Sequence, residues 1–479
     1  MKSLEEFTGK NHFMERESIG KLMLKFSVPC IMSLLVSSLY NIVDQIFIGQ
    51  GIGYLGNGAT NVVFPVTIIA LAMALMVGDG CAANLSICQG CKDQDRARKS
   101  VGNAIVLLVA AGVVFTVLLF LFKDQFLKAF GATENNFAYA REYFVYIMIG
   151  IPFFMFSNGM NSIIRADGSP QFAMISTLIG AVINVILDPI MIFVFHWGMM
   201  GAALATITGQ IVSAILAVYY LCHMKSIKME TECFRVDPII SKKVLSLGIS
   251  SFLTQISIVA IMAAMNNMLV IYGAQSRFGS DIPLTVVGIV MKVFQIVIAF
   301  SVGIAAGSQP VIGFNYGAGL NHRVKKIFKL MMAAEACVGV FSMIIFECFP
   351  MEIIKLFGNE SALYNEFAVL AFRTYLCTIV LCCIQKSVSI FLQALGKPIL
   401  SMGLSLLRDF ILSVPLVLFL PKLLGIKGTL YSAPAADMIS FIAVIAVTRY
   451  LFGHLKKDEK EERETAFNRG EETINLVSE

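Results

Sequence analysis

The chain has 479 residues, of which 57% are apolar and only 14% are charged. Soluble proteins of this size carry nearer a quarter charged residues, so the composition excludes an ordinary soluble enzyme or binding module. The net charge of +5 is small and resides in loops and tails, so we expect no nucleic-acid partner. The eleven cysteines lie mostly inside apolar runs, which favours small packing residues over disulfides.

Apolar runs along the chain are long enough to cross a bilayer, which takes about twenty residues of helix. We therefore predict an all-α polytopic membrane protein with twelve transmembrane helices, embedded in a lipid bilayer. We expect no cleavable signal peptide, because Met1–Lys21 is polar and charged and the first apolar run is a full span. The runs lie near residues 22–48, 60–88, 101–122, 143–164, 171–196, 200–222, 243–272, 284–314, 327–349, 367–392, 398–420 and 428–452.

The loops predict the orientation. Loops 90–100, 223–243 and 321–329 hold thirteen lysines and arginines, and the loops of opposite parity hold far fewer. Basic loops stay in the cytoplasm, so both termini are predicted to be cytoplasmic.

The chain repeats itself at one spacing. Three segments of the first half match segments 227 or 228 residues later, beginning with Gln89–Lys99 against Tyr316–Lys326. Arg165–Pro170 likewise matches Gln393–Pro398. Two halves with an even number of spans each share one orientation and form two lobes, as alternating access requires. We divide the chain into a first lobe at 1–222, a cytoplasmic loop at 223–243, a second lobe at 244–452 and a charged tail at 453–479.

The first span carries one proline and one acid. Pro29 cannot donate its backbone N–H and permits a kink, which makes it a candidate hinge. Asp44, with Tyr40 one turn before it, lies in an apolar helix, where an aspartate costs about 2.5–3.5 kcal/mol near the centre. An acid in such a helix must therefore pair with another group inside the protein or serve a function.

The second span carries another acid, Asp79, between Gly78 and Gly80. The glycines indicate a close approach of helices or an unwound turn. We place Asp79 in the polar network around the candidate ion site, with a purely structural role as the alternative.

Oxygen-rich side chains recur in spans four to six. Asn184 and Asp188 lie one turn apart on one face, Thr206 lies in the next span, and Asn158 and Asn161 in the preceding one. With Asp44, two carboxylates, amides and a hydroxyl from one lobe suit a Na⁺ ion or a shared proton. The alternative is that these side chains form only structural hydrogen bonds between helices, which average about 0.6 kcal/mol.

Spans seven and eight carry methionine and phenylalanine with a few amides at helical spacings. Such a surface adapts to varied apolar ligands, so we predict a drug-binding surface there. Its residues are Gln255, Met265, Asn267, Met291, Phe294 and Gln295.

The second lobe also contains intramembrane charges: Lys292, Lys386, Arg408, Asp409 and Glu335. We interpret them as structural, with Arg408 and Asp409 neutralising neighbours such as Lys292. No GxxxxGK[ST], HExxH or GxSxG motif occurs, so neither ATP hydrolysis nor a hydrolytic site is supported and no enzyme is predicted.

In order along the chain, these features resemble the multidrug and toxic compound extrusion (MATE) family. The resemblance rests on the two six-span repeats and on four segments: Tyr40–Asp44, Arg165–Pro170, Asn184–Pro189 and Gly313–Gly317. It implies a monomeric V-shaped pair of lobes in a bacterial plasma membrane. It also implies cation-coupled antiport of lipophilic, often cationic drugs, with no cofactor beyond the coupling ion, Na⁺ or H⁺. Gly78–Gly80 is similar to the bacterial drug-efflux branch.

The resemblance also implies residue roles. Coupling-ion binding falls to Asp44, Asn184, Asp188 and Thr206, the surrounding network to Tyr40, Asn158 and Asn161, and the bend of span one to Pro29. Some family members add a second-lobe cation site with a Glu in span seven and an Asp in span ten. Here the span-seven position is Gln255 and span ten has no acid, so coupling is expected in the first lobe.

Two other functions share part of this pattern. A lipid-linked sugar flippase of similar two-lobe architecture would line its cleft with basic residues for the pyrophosphate, and Lys292, Lys386 and Arg408 keep that alternative open. A channel fits the repeat poorly because it needs no rocking lobes.

Overall fold

The computed structural model describes residues 14–130, 136–279, 281–357 and 362–477, and within them it is helical without strands. The helices are α1 (Ile19–Gly51), α2 (Tyr54–Gly90), α3 (Gln94–Leu121), α4 (Lys123–Ala129), α5 (Phe137–Ala166), α6 (Pro170–Pro189, with a π-helical turn at Ile190–Val194), α7 (Gly198–Cys222), α8 (Pro238–Ala274), α9 (Asp281–Gly317), α10 (Asn321–Cys348), α11 (Pro350–Phe357), α12 (Ala362–Tyr375), α13 (Ile379–Ala394), α14 (Pro398–Leu406, with a π-helical segment at Leu407–Leu412), α15 (Ser413–Leu424) and α16 (Ile426–Val477). A 3₁₀ turn, Thr231–Phe234, lies in the loop between the halves.

Eleven helical stretches of the described chain are long and apolar enough to cross a membrane. One of the eleven consists of α14 and α15 together. The helices α12 and α13, which meet at a bend of 44°, make a twelfth span. The all-α polytopic fold class is thereby confirmed. A helix satisfies its own backbone hydrogen bonds without water, so a long apolar run is enough to locate each span.

The turns of the two halves fold alike at matching positions. Residues with positive φ recur at the offsets of the sequence repeat: Lys92 (60°) and Gly319 (73°), Gly168 (85°) and Gly396 (69°), Gly198 (54°) and Gly425 (61°). Left-handed backbone favours glycine, so glycine at five of these six positions fits the geometry. The two halves therefore contain the same turns at matching positions.

The start of α1 packs with the second half of the chain rather than the first. Ile19, Leu22 and Phe26 are buried among second-half residues such as Ile304 and Val311. Arg323 at the start of α10 donates to the carbonyls of Met14 and Glu17 at 3.0 and 2.9 Å. The helix α1 therefore joins the two lobes, and the lobe boundary in space differs from the boundary in sequence.

The lobes press together at one end of the bundle, the end with loops 90–100, 223–243 and 321–329, which we call the basic end. Gly303 and Gly307 of α9 lie against the backbone of α1 at Ile31 and Ser27, and the Ser27 hydroxyl donates to the Ile304 carbonyl at 3.1 Å. A Cβ at either glycine would collide with α1.

Two more close approaches between helices lie at the basic end. Together with the contacts of Gly303 and Gly307, we call them the seal. Gly248 of α8 lies against the Met76 backbone of α2, and Gly317 of α9 lies against Ile87 of α2. Farther from the basic end, a Cβ at Gly288 of α9 would meet no atom within 4 Å. The close glycine contacts between the lobes lie toward the basic end, and we infer a cleft at the opposite end, which we call the open end.

Candidate functional site

Two aspartates meet inside the first lobe. Asp44 of α1 is 8% exposed and Asp188 of α6 is 0% exposed. Their carboxyl groups are neighbours because α1 packs along α6. Asp188 ends the regular part of α6, and Pro189 and the π-helical turn follow it.

The oxygens at this site lack donors. In the described part of the chain, Asp44 Oδ1, both Asp188 oxygens and Asn184 Oδ1 are buried without a hydrogen-bond partner. The Asn184 amide nitrogen donates to Thr206 Oγ1 at 3.3 Å, which joins α6 to α7 at this site. Buried carboxylates without donors are unfavourable unless a positive charge joins them. Carboxylate and amide oxygens fit a proton or a Na⁺ ion.

Two tyrosines lie beside the acids. Tyr40 was predicted there, and the structure adds Tyr143 of α5, which lies near Asp44, Asp188 and Thr206. Tyr143 is only 8% exposed. The sequence carries little signal for it, because a tyrosine near the end of a span is usual at a membrane interface.

The two asparagines of α5 bond elsewhere. The Asn158 amide donates to the Phe154 carbonyl at 2.8 Å, and the Asn161 amide donates to Thr177 Oγ1 at 3.2 Å. Asn161 thus ties α5 to α6, and its Oδ1 finds no donor in the described residues.

Asp79 lies at the junction of the lobes, apart from the Asp44–Asp188 pair. It accepts from Ser162 of its own lobe at 2.6 Å and from Ser251 of the other lobe at 2.8 Å. Arg165 lies 4.0 Å away. The predicted close approach is present as well, because Gly80 lies against the Val244 backbone of α8.

The predicted drug-binding residues do not share one face. Met265 is 1% exposed and lies in the second-lobe core, so it cannot contact a ligand in the cleft in this conformation. Met291 and Phe294 pack partly against the same core, whereas Asn267 and Gln295 are exposed.

Helical periodicity places a different asparagine on the cleft face of α8. Gln255 lies one turn beyond Ser251 on the face that meets the first lobe. By the period of 3.6 residues, that face continues to Asn266, which is exposed, rather than to Asn267.

The second lobe contains a neutral cluster of four charges. Lys386 Nζ lies 3.0 Å from Asp409, Arg408 lies 2.8 Å from Asp409, and Arg408 lies 2.9 Å from Asp437. Asp437 was absent from the sequence-based set and receives a further bond from Thr378 at 2.8 Å. Lys292, which was expected to be neutralised here, is exposed and has no ion pair in the described residues.

Glu335 is the remaining buried acid of the second lobe. It is 0% exposed and accepts from Ser387 at 2.5 Å through one oxygen, while its other oxygen has no donor among the described residues. It is a single carboxyl group, without a second acid in contact.

A buried acid outside the spans ties down the loop between the lobes. Asp167 follows α5 and accepts from the Tyr220 hydroxyl at 2.7 Å, the Lys225 amide at 2.8 Å, and the amide and hydroxyl of Ser226. Burial raises the pKa of Asp167 above its ordinary value, although these hydrogen bonds lower it in part.

The chain matches the MatE family model over residues 29–190 and 251–419, which cover most of both halves. It is 24% identical over 451 residues to the multidrug export protein MepA of Staphylococcus aureus strain N315, covering 94% of this chain and 98% of that protein. It is also 24% identical over 455 residues to the multidrug export protein MepA of Staphylococcus saprophyticus, with the same coverage of both chains.

Solved structures share the fold. A crystal structure of MATE in complex with MaL6 superimposes with a TM-score of 0.86 at 23% identity, over 94% of this chain and 100% of the other. An outward-facing multidrug resistance MATE transporter gives a TM-score of 0.85 at 24% identity, over 94% and 99% of the two chains.

Proposed function

The chain belongs to the MatE family, and we propose that it exports lipophilic, drug-like organic molecules, cations among them, across a bacterial plasma membrane in exchange for Na⁺ or H⁺. Relatives that match almost the whole chain are named multidrug export proteins. With the basic loops in the cytoplasm, the lobes are sealed on the inside and the cleft is open to the outside.

One observation supports the assignment of the coupling site. Four buried oxygens, from Asp44, Asp188 and Asn184, have no donor in the described chain. A Na⁺ ion or a proton held by these residues and Thr206 supplies the missing positive charge. Nothing comparable is needed at Asp409 and Asp437, because basic side chains already neutralise them.

The helix α1 connects this site to the seal. Its start, at Ile19 and Phe26, packs in the second lobe, and Asp44 near its other end lies in the first lobe. Pro29 stands between the two parts, and it removes one backbone hydrogen bond where α1 must adjust. A change at Asp44 and a movement of the lobes therefore act on the same helix, with Pro29 as the hinge.

Competition between ion and drug then follows from linkage. If the ion at Asp44 and Asp188 and the drug in the cleft stabilise different positions of α1, each must lower the other's affinity by the same factor. One charge moving across about 150 mV supplies roughly 3.5 kcal/mol, enough for a few-hundredfold accumulation ratio.

Purified protein in liposomes tests the proposal directly. A fluorescent lipophilic cation is loaded, and a Na⁺ gradient or a pH gradient is applied separately. We expect one of the two gradients to drive transport and its reversal to stop it. Transport that ignores both gradients, or none at all beyond that of empty liposomes, would refute coupled export.

The flippase alternative has less support from this geometry. It needs several basic residues free in the cleft, and two of the three candidates, Lys386 and Arg408, are buried in ion pairs with acids. A single exposed lysine does not make a pyrophosphate site.

A further inference from the structure

Lys292 is an unneutralised cation on a wall of the cleft. It lies on α9, eleven residues before Gly303, which is three helical turns and about 16 Å toward the open end. Eleven residues at 3.6 per turn return to within about 20° of the same face, so Lys292 lies on the face that Gly303 turns toward α1. Gly288, one turn farther, faces open space.

The other cations at the middle of the described spans are neutralised. Lys386 and Arg408 lie 3.0 and 2.8 Å from Asp409. Arg165, in the last turn of α5, lies 4.0 Å from Asp79. Lys292 has no hydrogen bond or ion pair in the described residues, and its side chain is exposed. Because it faces the cleft rather than lipid, water hydrates it while this end is open.

Among the residues that the structure describes on the facing helices, no acid lies near Lys292 to neutralise it when the lobes close. The cleft-lining stretches Tyr54–Met76 of α2 and Ser250–Ala274 of α8 contain no charged residue. On α1, Ser38 and Ile42 continue the face that meets α9, whereas Asp44 is buried on the other side of that helix. The other charged residue of α9 is Asp281 at its first position, eleven residues and about 16 Å along the helix from Lys292.

Alternating access must close this end of the cleft and remove water from Lys292. Enclosing an ammonium group without a partner is costly, and an acidic group brought in by the substrate offsets that cost. We propose that Lys292 binds the carboxylate of the transported molecule. The cleft therefore favours zwitterionic or acidic amphiphiles over cations of the same shape, which deepens and rests on the proposed function.

A matched pair of dyes isolates this preference. A rhodamine in its ethyl ester form is a cation, and the same dye as the free acid carries an added carboxylate on an identical ring system. Both are offered to the wild type, Lys292→Gln and Lys292→Arg in liposomes, with Lys427→Gln as control. Lys427 is exposed at the start of α16, on a helix separate from α9, and controls for a general loss of positive charge.

We expect Lys292→Gln to raise KM for the free acid about fivefold, the scale of one partly solvated ion pair, while the ester KM stays unchanged or falls. Lys292→Arg keeps the preference, and Lys427→Gln changes neither KM. Ion-driven export of either dye by the wild type reports the proposed function independently of Lys292, and the absence of export of both dyes would refute both proposals. An unchanged ratio of the two KM values in Lys292→Gln, or an equal loss for both dyes, overturns the role of Lys292.

Discussion

The two lobes place their buried acids in opposite electrostatic settings. In the first lobe, Asp44 and Asp188 share a site with no basic side chain, and three of their oxygens have no donor in the described chain. In the second lobe, Asp409 and Asp437 each lie within 3.0 Å of a lysine or arginine nitrogen. Both pairs are almost fully buried, so burial does not distinguish them.

The difference shows what marks an ion site in a repeat protein. An acid with its countercharge built in has no need of an exchangeable ion, whereas two acids without one must share a proton or bind a cation. We therefore look for the coupling site where the protein's own cations are missing. Each of the following experiments is a way to break or sharpen this contrast between the lobes.

The largest expected effect is in the first lobe. Asp44→Asn and Asp188→Asn should each reduce ion-driven export to the level of empty liposomes, because the neutral amide can neither take up the proton nor balance the ion. Folded protein should stay at wild-type yield, since the substitution removes an uncompensated buried charge. The measurement is efflux at equal reconstituted amounts.

Glu335→Gln serves as the control for that experiment. It also neutralises a fully buried acid, but one that stands alone in the second lobe. We expect coupled export to persist in this variant. Near-normal export by either first-lobe variant, or its loss only in Glu335→Gln, would contradict our assignment.

In the second lobe the expected loss is of stability. Asp409→Asn leaves Lys386 and Arg408 with Asp437 as their remaining acid, and breaking a buried pair costs about 3–5 kcal/mol. Yield and thermal unfolding in detergent measure this loss. Adding Lys386→Met to the variant should restore much of it, because Arg408 and Asp437 then form a balanced pair. A stable Asp409→Asn protein that binds drug without responding to the ion would move the coupling site here.

The junction between the lobes gives a smaller effect. Ser251→Ala removes the hydrogen bond that Asp79 receives across the lobes, and a bond to a charged group is worth about 1.5–3 kcal/mol. We expect the basic end to open more often, so that Cys30, which is buried close to this seal, is labelled by a maleimide roughly tenfold faster. Mass spectrometry of the Cys30 peptide measures the rate.

The matched variant is Ser162→Ala, which removes a donor to the same carboxylate from within the first lobe. Labelling of Cys30 should then stay near the wild-type rate. Equal acceleration in both variants would show that Asp79 stabilises the first lobe rather than the seal.

The smallest effect concerns the turn where the repeat is asymmetric. Asp167 occupies the first-lobe turn, and Leu395 stands at the matching position of the second. Because burial raises the pKa of Asp167 above 3.8, the unfolded chain loses this proton first as pH rises, and the folded state loses relative stability through that interval. The wild type's Tm relative to Asp167→Asn should therefore fall as pH rises from about 4 toward the folded pKa. A difference in Tm that is constant across this range would contradict the shift.

The sequence by itself determined the spans and the fold class, and it predicted Asp44, Asn184, Asp188 and Thr206 as one candidate site. Hydropathy suffices for the spans because a helix in lipid must satisfy its own backbone, a property of each segment alone. Asn184 and Asp188 share a face by helical period, and their adjacency to Thr206 follows because consecutive spans pack side by side. The matched turns at Gly168 and Gly396 were visible as a repeat in the same way.

Only the tertiary structure decided which side chains meet across lobes and across distant spans. It brought Asp437 to Arg408, turned Met265 into the core, left Lys292 exposed and set Asp79 against Ser251. It also placed the start of α1 in the second lobe. These outcomes depend on how each helix is rotated about its axis, which is set by packing between segments hundreds of residues apart rather than by any local pattern.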